Sequence, residues 1–181
     1  MLGLGRLLDV GPAWAPVDLN TADAATGFRT TMRNATGCLF VANVAITGGG
    51  VIDTIFTVQQ HTASTGGTSS SLVSTSVASS RGITQYWVKE GVTTTIAGSE
   101  AWARSTQAEA ATVTIAGATY VAKEYMVAIH VDASQLGDTY THVSVNVAAA
   151  ALAHAKLISG IYILHDLETQ RTPANLPVFL S

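Results

Sequence analysis

Five histidines, and the carboxylates beside two of them, are the residues whose types and spacing could carry acid–base or metal chemistry in this 181-residue chain. In His130-Val131-Asp132 the imidazole and the carboxylate stand two positions apart, so a β-strand puts both on one face. In His165-Asp166 they are adjacent, and a regular strand sends them to opposite faces. Neither pair matches a known catalytic pattern. A mononuclear zinc centre needs three or four convergent ligands, and the chain has no His-x-His or Glu-flanked His pair to begin one. His142 is expected to hydrogen-bond structurally, as buried polar groups in sheets do. Cys38 is the single cysteine and has no internal disulfide partner; its apolar strand suits a buried thiol rather than a nucleophile. No Gly-x-Ser-x-Gly elbow, Walker loop or dinucleotide fingerprint occurs, and Gly3-Leu4-Gly5 lacks the preceding strand and third glycine. The expectation is a protein that is not an enzyme and carries no metal or cofactor.

The aromatic residues offer a different chemistry, stacking on a sugar or on a partner protein. Tyr86 and Trp87 are adjacent, so only one of them can face a core, and Trp102 lies within Glu100-Ala101-Trp102-Ala103-Arg104. Large aromatic side chains anchor cores and subunit contacts more often than sugars. Trp14 and Trp102 are therefore candidate assembly contacts.

The elements that must position these residues follow a period of two almost throughout. Tyr125, Val127, Ile129 and Val131 share one face, as do Val143, Val145 and Val147 against His142, Ser144 and Asn146. With Gly137 in the loop between them, these two runs are expected to pair as a central antiparallel hairpin. Further strands are expected over residues 6–10, 16–19, 28–33, 38–46, 53–60, 71–77, 83–89, 100–107, 111–115 and 157–164. Thr47-Gly48-Gly49-Gly50 reads as a hairpin connection and residues 63–70 as a flexible loop. Residues 148–155, rich in alanine, read as a short helix or a loop. Many short strands whose edges need protection give an all-β fold, an antiparallel two-sheet sandwich of jelly-roll type.

Both ends read as extended arms. Residues 1–20 hold Gly3, Gly5, Gly11, Pro12 and Pro16, and residues 167–181 hold Pro173 and Pro177; the sandwich domain then covers residues 21–166. The apolar ending Leu176, Pro177, Val178, Phe179 and Leu180 is expected to clasp a neighbouring molecule, because a disordered tail is ordinarily polar; the alternative is that it packs on its own domain. The opening segment Met1 to Asp9 is broken by Arg6 and Asp9 before a signal-peptide core forms, so the Asn34-Ala35-Thr36 sequon reads as accidental.

Three stretches carry a resemblance: Val131-Asp132-Ala133-Ser134-Gln135-Leu136, Tyr140 to Val147, and Gly160-Ile161-Tyr162-Ile163-Leu164-His165-Asp166. With Val17 to Thr21, a turn at Gly27, Cys38 to Asn43 and Asp53 to Gln60, they resemble a family of small β-rich virion proteins encoded beside the capsid genes of tailed bacteriophages. The likeness spans residues 17–166 and consists of common β-strand residues, with no chemically unique motif. It implies a capsid decoration or cement protein, seated on the outer capsid surface after synthesis in the host cytoplasm. It implies the major capsid protein as partner and a homo-oligomer, a trimer for choice. A neck, tail or carbohydrate-recognising host-binding component is the alternative.

Composition points to assembly independently. Only 12% of residues are charged, against about 25% in ordinary soluble domains. Between Asn34 and Ser80 the single formal charge is Asp53. Interface centres are depleted in Lys, Glu and Asp, so an exterior largely covered by partners explains the scarcity; the alternative is a secreted β-domain coated in Thr and Ser. A net charge of −3 with nine scattered Lys and Arg residues argues against nucleic acid as a ligand. No run of about 18 apolar residues is present to span a membrane.

Overall fold

The computed structural model describes residues 3–20, 25–73, 80–91, 100–149 and 154–170. Its strands are β1 (Leu8–Asp18), β2 (Thr30–Thr31), β3 (Ala35–Ile46), β4 (Thr54–His61), β5 (Ser69–Ser71), β6 (Ile83–Glu90), β7 (Ala103–Ala110), β8 (Thr112–Ile115), β9 (Glu124–Asp132), β10 (His142–Val147) and β11 (Lys156–Leu167). They build two antiparallel sheets, a larger one in the order β1-β11-β3-β9-β6-β7 and a smaller one in the order β2-β10-β4-β5, with β8 also paired to β4. The fold is an all-β sandwich. The order β1-β11-β3-β9 faces β2-β10-β4-β8, and β1/β2, β3/β4 and β9/β10/β11 alternate between the sheets. That alternation is the wrapping of a jelly roll, and β6 and β7 extend one edge of it.

Alternation along each strand decides what is buried. On β3, Phe40, Ala42, Val44 and Ile46 point inward while Leu39, Val41, Asn43 and Ala45 point outward. Phe40 is the hub of the core: its ring lies 5.2 Å from Trp14, 5.8 Å from Tyr162 and 5.8 Å from Phe56 of the opposite sheet. Two sets of buried polar groups are paired across the sandwich, as apolar surroundings favour. The Val145 amide donates to the Tyr162 hydroxyl at 2.9 Å, and Tyr125 and Thr54 hydroxyls bond to each other.

Three expectations are corrected by this topology. Residues 125–131 and 141–147 do not form a hairpin: β9 lies between β3 and β6 in the larger sheet, and β10 lies between β2 and β4 in the smaller. Their connection instead crosses the end of the sandwich through a 3-10 turn, Ala133–Gln135. The crossing is fixed by buried Leu136 and by the Gly137 amide, which donates to Gln60 Oε1 at 2.8 Å. Thr47 to Gly50 likewise joins β3 to β4 across the sheets rather than within one. Residues 8–18, within the expected N-terminal arm, are instead an edge strand of the larger sheet, antiparallel to β11, and bury Ala13 and Trp14. Of the alanine-rich segment, residues 148 and 149 belong to no helix or strand and residues 150–153 lie outside the described residues.

Candidate functional site

Among the described residues, the outward face of the larger sheet departs from ordinary exterior chemistry. Register places Pro12 opposite Ile161, Ile161 opposite Val41, Val41 opposite Ala128, and Ala128 opposite Trp87. This is one apolar row across five strands, ending at Arg104 of β7. A parallel row runs from Val10 through Ile163 and Leu39 to His130. Among the described residues, Ile161 is 41% exposed and Val10 44% exposed. Strands whose outer positions alternate polar with their core positions leave no such rows.

Two shallow hollows lie on this face. One, of about 430 Å³, is lined by Leu39, Val41, Trp87, Trp102, Ala128 and His130. The other, of about 380 Å³, lies between β1 and β9, with Pro12, Val41, Met126 and Ile161 in its wall. Trp102, one of the expected assembly contacts, stands here 41% exposed, with Lys89 Nζ 5.3 Å from its ring centre. Trp14, the other expected assembly contact, is 5% exposed; its ring packs on Phe40 beside Gly160 and also forms part of the wall of the second hollow. Leu176, Pro177, Val178, Phe179 and Leu180 lie outside the described residues.

At one end of the face the two histidines flanked by carboxylates come together. His165 of β11 is opposite Gly37 of β3, and His130 of β9 is opposite Leu39, so their rings lean over Gly37 from both sides. Their Nε2 atoms are 2.7 Å apart and their rings stack at 4.9 Å. A Cβ on residue 37 would sit 2.4 Å from one Nε2 and 2.7 Å from the other, so the contact needs glycine there. His165 Nδ1 bonds Asp166 Oδ2 at 2.8 Å, and His130 Nδ1 faces Asp132 Oδ2 at 3.9 Å. Adjacent His165 and Asp166 meet, against expectation, because Asp166 has φ of +52° and leaves the regular strand alternation. Burial lowers the His130 pKa, and His165 acts in the same direction, while Asp132 and Asp166 oppose both.

Four further titratable groups, His61, His142, Cys38 and Lys156, are buried. His61, 2% exposed, is bonded through Nδ1 to Ser69 and through Nε2 to Ser144, both at 2.8 Å. Desolvation, then Arg29 and His142, lower its pKa to about 4. His142 is buried, with Nδ1 2.9 Å from Thr141 Oγ1, in keeping with a structural role. Cys38 is buried in the core and its thiol is pushed up to about 12 by desolvation, which removes thiolate character. Lys156 has no exposed surface; its ammonium donates to the carbonyls of Ile52 and Asp53, and burial lowers its pKa to about 8.

Sequence reasoning missed the His130–His165 meeting because the two residues are 35 positions apart and join through a third strand. It could have found the apolar rows: outward Leu39, Val41 and Ile161 are large apolar residues at positions whose alternation calls for polar ones. Comparison with protein-family models, with characterised proteins and with solved structures gives no match to this chain.

Proposed function

We propose that this chain is a structural subunit that docks on other protein through the outward face of its larger sheet, and that it serves as a capsid decoration protein of a tailed bacteriophage. The observation that carries the docking reading is the apolar row Pro12–Ile161–Val41–Ala128–Trp87. Such a face gains free energy when a partner removes it from water, at about 25 cal/mol per Å² before ordering costs. The capsid placement rests on the resemblance of residues 17–166 alone. In that role the protein would do no chemistry. It would cover seams between capsid subunits, and the seam would have to lose these contacts before the shell could open.

A second reading is favoured by one observation, the presence of Trp87 and Trp102 in the same hollow. Paired tryptophans are a platform for a sugar ring. Their neighbours Leu39, Val41 and Ala128 are apolar, however, whereas sugar hydroxyls need hydrogen-bonding side chains.

The test mixes purified protein with capsids stripped of decoration, at low and near 1 M salt, and follows co-sedimentation. Salt-insensitive binding, with density on the outer shell by electron cryo-microscopy, supports the proposal. No binding, or release by moderate salt, overturns the apolar-seam mechanism, since screening at 1 M reaches within about 3 Å. Retention on a glycan array, lost in Trp102→Ala, would select the second reading.

A further inference from the structure

We propose that His130 and His165 form a two-histidine binding site for a divalent first-row transition cation such as Cu2+ or Zn2+, bound between their Nε2 atoms above Gly37. The geometry supplies what imidazole ligation requires. Two Nε2 atoms converge from neighbouring sides of one strand, held 2.7 Å apart. Each ring has a carboxylate at its other nitrogen, Asp166 at 2.8 Å for His165 and Asp132 at 3.9 Å for His130. A carboxylate on the far nitrogen is the usual support of a ligating histidine: for His165 it fixes the tautomer that leaves Nε2 free, and for His130 it is placed to receive the Nδ1 hydrogen of the bound form.

Proton placement follows from the same contacts. In the neutral pair, a His165 that donates its Nδ1 hydrogen to Asp166 keeps the lone pair on its Nε2, and His130 then donates from its own Nε2. On binding a cation His130 moves that hydrogen to Nδ1, toward Asp132, and no net proton is lost by the neutral pair. The rings must separate slightly from their present contact, and both sit on an accessible face, with side chains about one-third exposed. Gly37 provides the room, since any side chain there would occupy the space of both Nε2 atoms. Among the described residues no group of three or more His, Cys, Asp and Glu converges on a single point. The pair therefore supplies two ligands, and water or a donor from a docked partner completes the coordination. Imidazole ligands and an incomplete protein set favour Cu2+ over Zn2+ in the usual order of divalent stability.

Calorimetric titration of the full-length protein with Cu2+ and Zn2+ tests this. One cation per chain is expected, with Cu2+ the tighter. Asp166→Asn should weaken binding by roughly tenfold or more, as loss of a supporting carboxylate does. His130→Gln, His165→Gln and Gly37→Ala should weaken it further, while His154→Gln, altering a ring that lies against Gly48, should leave it unchanged. Nitrogen NMR of the wild-type imidazoles removes any dependence on variant folding: substoichiometric Zn2+ should shift the Nε2 resonances of His130 and His165. Absence of uptake, uptake indifferent to both His→Gln variants, or unmoved Nε2 resonances would each overturn the site.

Discussion

The two sheets of this sandwich present opposite exteriors. The side of the smaller sheet turned away from the core is, apart from exposed Ile55, largely polar and bonded to itself, and part of it is buried. His61 bridges Ser69 and Ser144, and Asn146 joins Gln59 at 3.0 Å while accepting the Gly27 amide at 2.8 Å. Arg29 adds a clamp on the loop above, donating to the carbonyls of Ala63 and Gly66 and to Ser69 Oγ. The outer face of the larger sheet has the apolar rows instead, with its polar side chains gathered toward the ends. Low overall charge therefore has two separate causes: one face satisfies its polar groups internally, and the other has few to satisfy. In the proposed docking role, only the second would gain from a partner.

The sharpest way to break that comparison is to place a charge in the apolar row. Ile161→Asp is expected to weaken self-association or capsid binding by about 30- to 1,000-fold, because an unpaired carboxylate desolvated in an interface costs roughly 2–4 kcal/mol. Ile161 is 41% exposed in the isolated chain, so the monomer's thermal midpoint should move by only a few degrees. Sedimentation equilibrium and differential scanning calorimetry on the same variant separate the two effects. Unchanged association would show that this face is not the docking surface.

Acid should attack the opposite face. The folded protein holds the His61 pKa at about 4 instead of 6.5, so between those values the unfolded chain binds a proton that the folded one refuses. Stability is full above pH 6.5, falls as pH drops through that window, and levels off below about 4. The loss attributable to this buried group is about 3 kcal/mol, at about 1.4 kcal/mol per pKa unit. Urea unfolding at stepped pH measures it. His61→Gln, which cannot titrate, should flatten that part of the profile; an unchanged slope would assign the acid sensitivity elsewhere.

How much of this was readable in the sequence depends on the range of the interaction. Alternation on β3 separates inward Phe40 and Ala42 from outward Leu39 and Val41 without any knowledge of partners, because side-chain direction is a local consequence of the extended backbone. The same alternation says nothing about which sheet a strand joins. The runs 125–131 and 141–147 looked like a hairpin by proximity, yet the loop between them crosses the sandwich. Trp14 could not be assigned to the core from spacing, since the register of β1 shifts on both sides of it. The histidine site was hidden twice, by sequence separation and by a positive φ at Asp166 that local alternation does not reveal.

A smaller effect sharpens the contrast from the polar side. Asn146→Ala removes the acceptor of the Gly27 amide and the donor to Gln59 Oε1. Chemical denaturation should show a loss of about 1–3 kcal/mol, the cost of leaving a part-buried donor unmade. Association should be unaffected, the reverse of Ile161→Asp. If Asn146→Ala weakened association as much as it weakened folding, the smaller sheet would also be a contact surface.

The smallest expected effect tests the larger face at its charged margin. Lys89 lies over the exposed Trp102 ring, a contact worth only about 0.5–1 kcal/mol while both groups stay hydrated. Replacing it in Lys89→Met keeps an apolar stem against the ring and removes the ammonium, so folding stability should change by no more than that amount. Association should move the other way. A partner covering Trp102 must either strip water from the Lys89 ammonium or displace it, and methionine needs neither, so binding should tighten by a few-fold. Trp102 sits beside Trp87 in the hollow of the apolar face, and loss of tryptophan quenching by a neutral solute on complex formation reports whether it is covered. Tighter association with the tryptophans shielded fits a partner seated across the row, whereas weaker association would mean that Lys89 pairs with a carboxylate on the partner and that the margin of this face is read by charge.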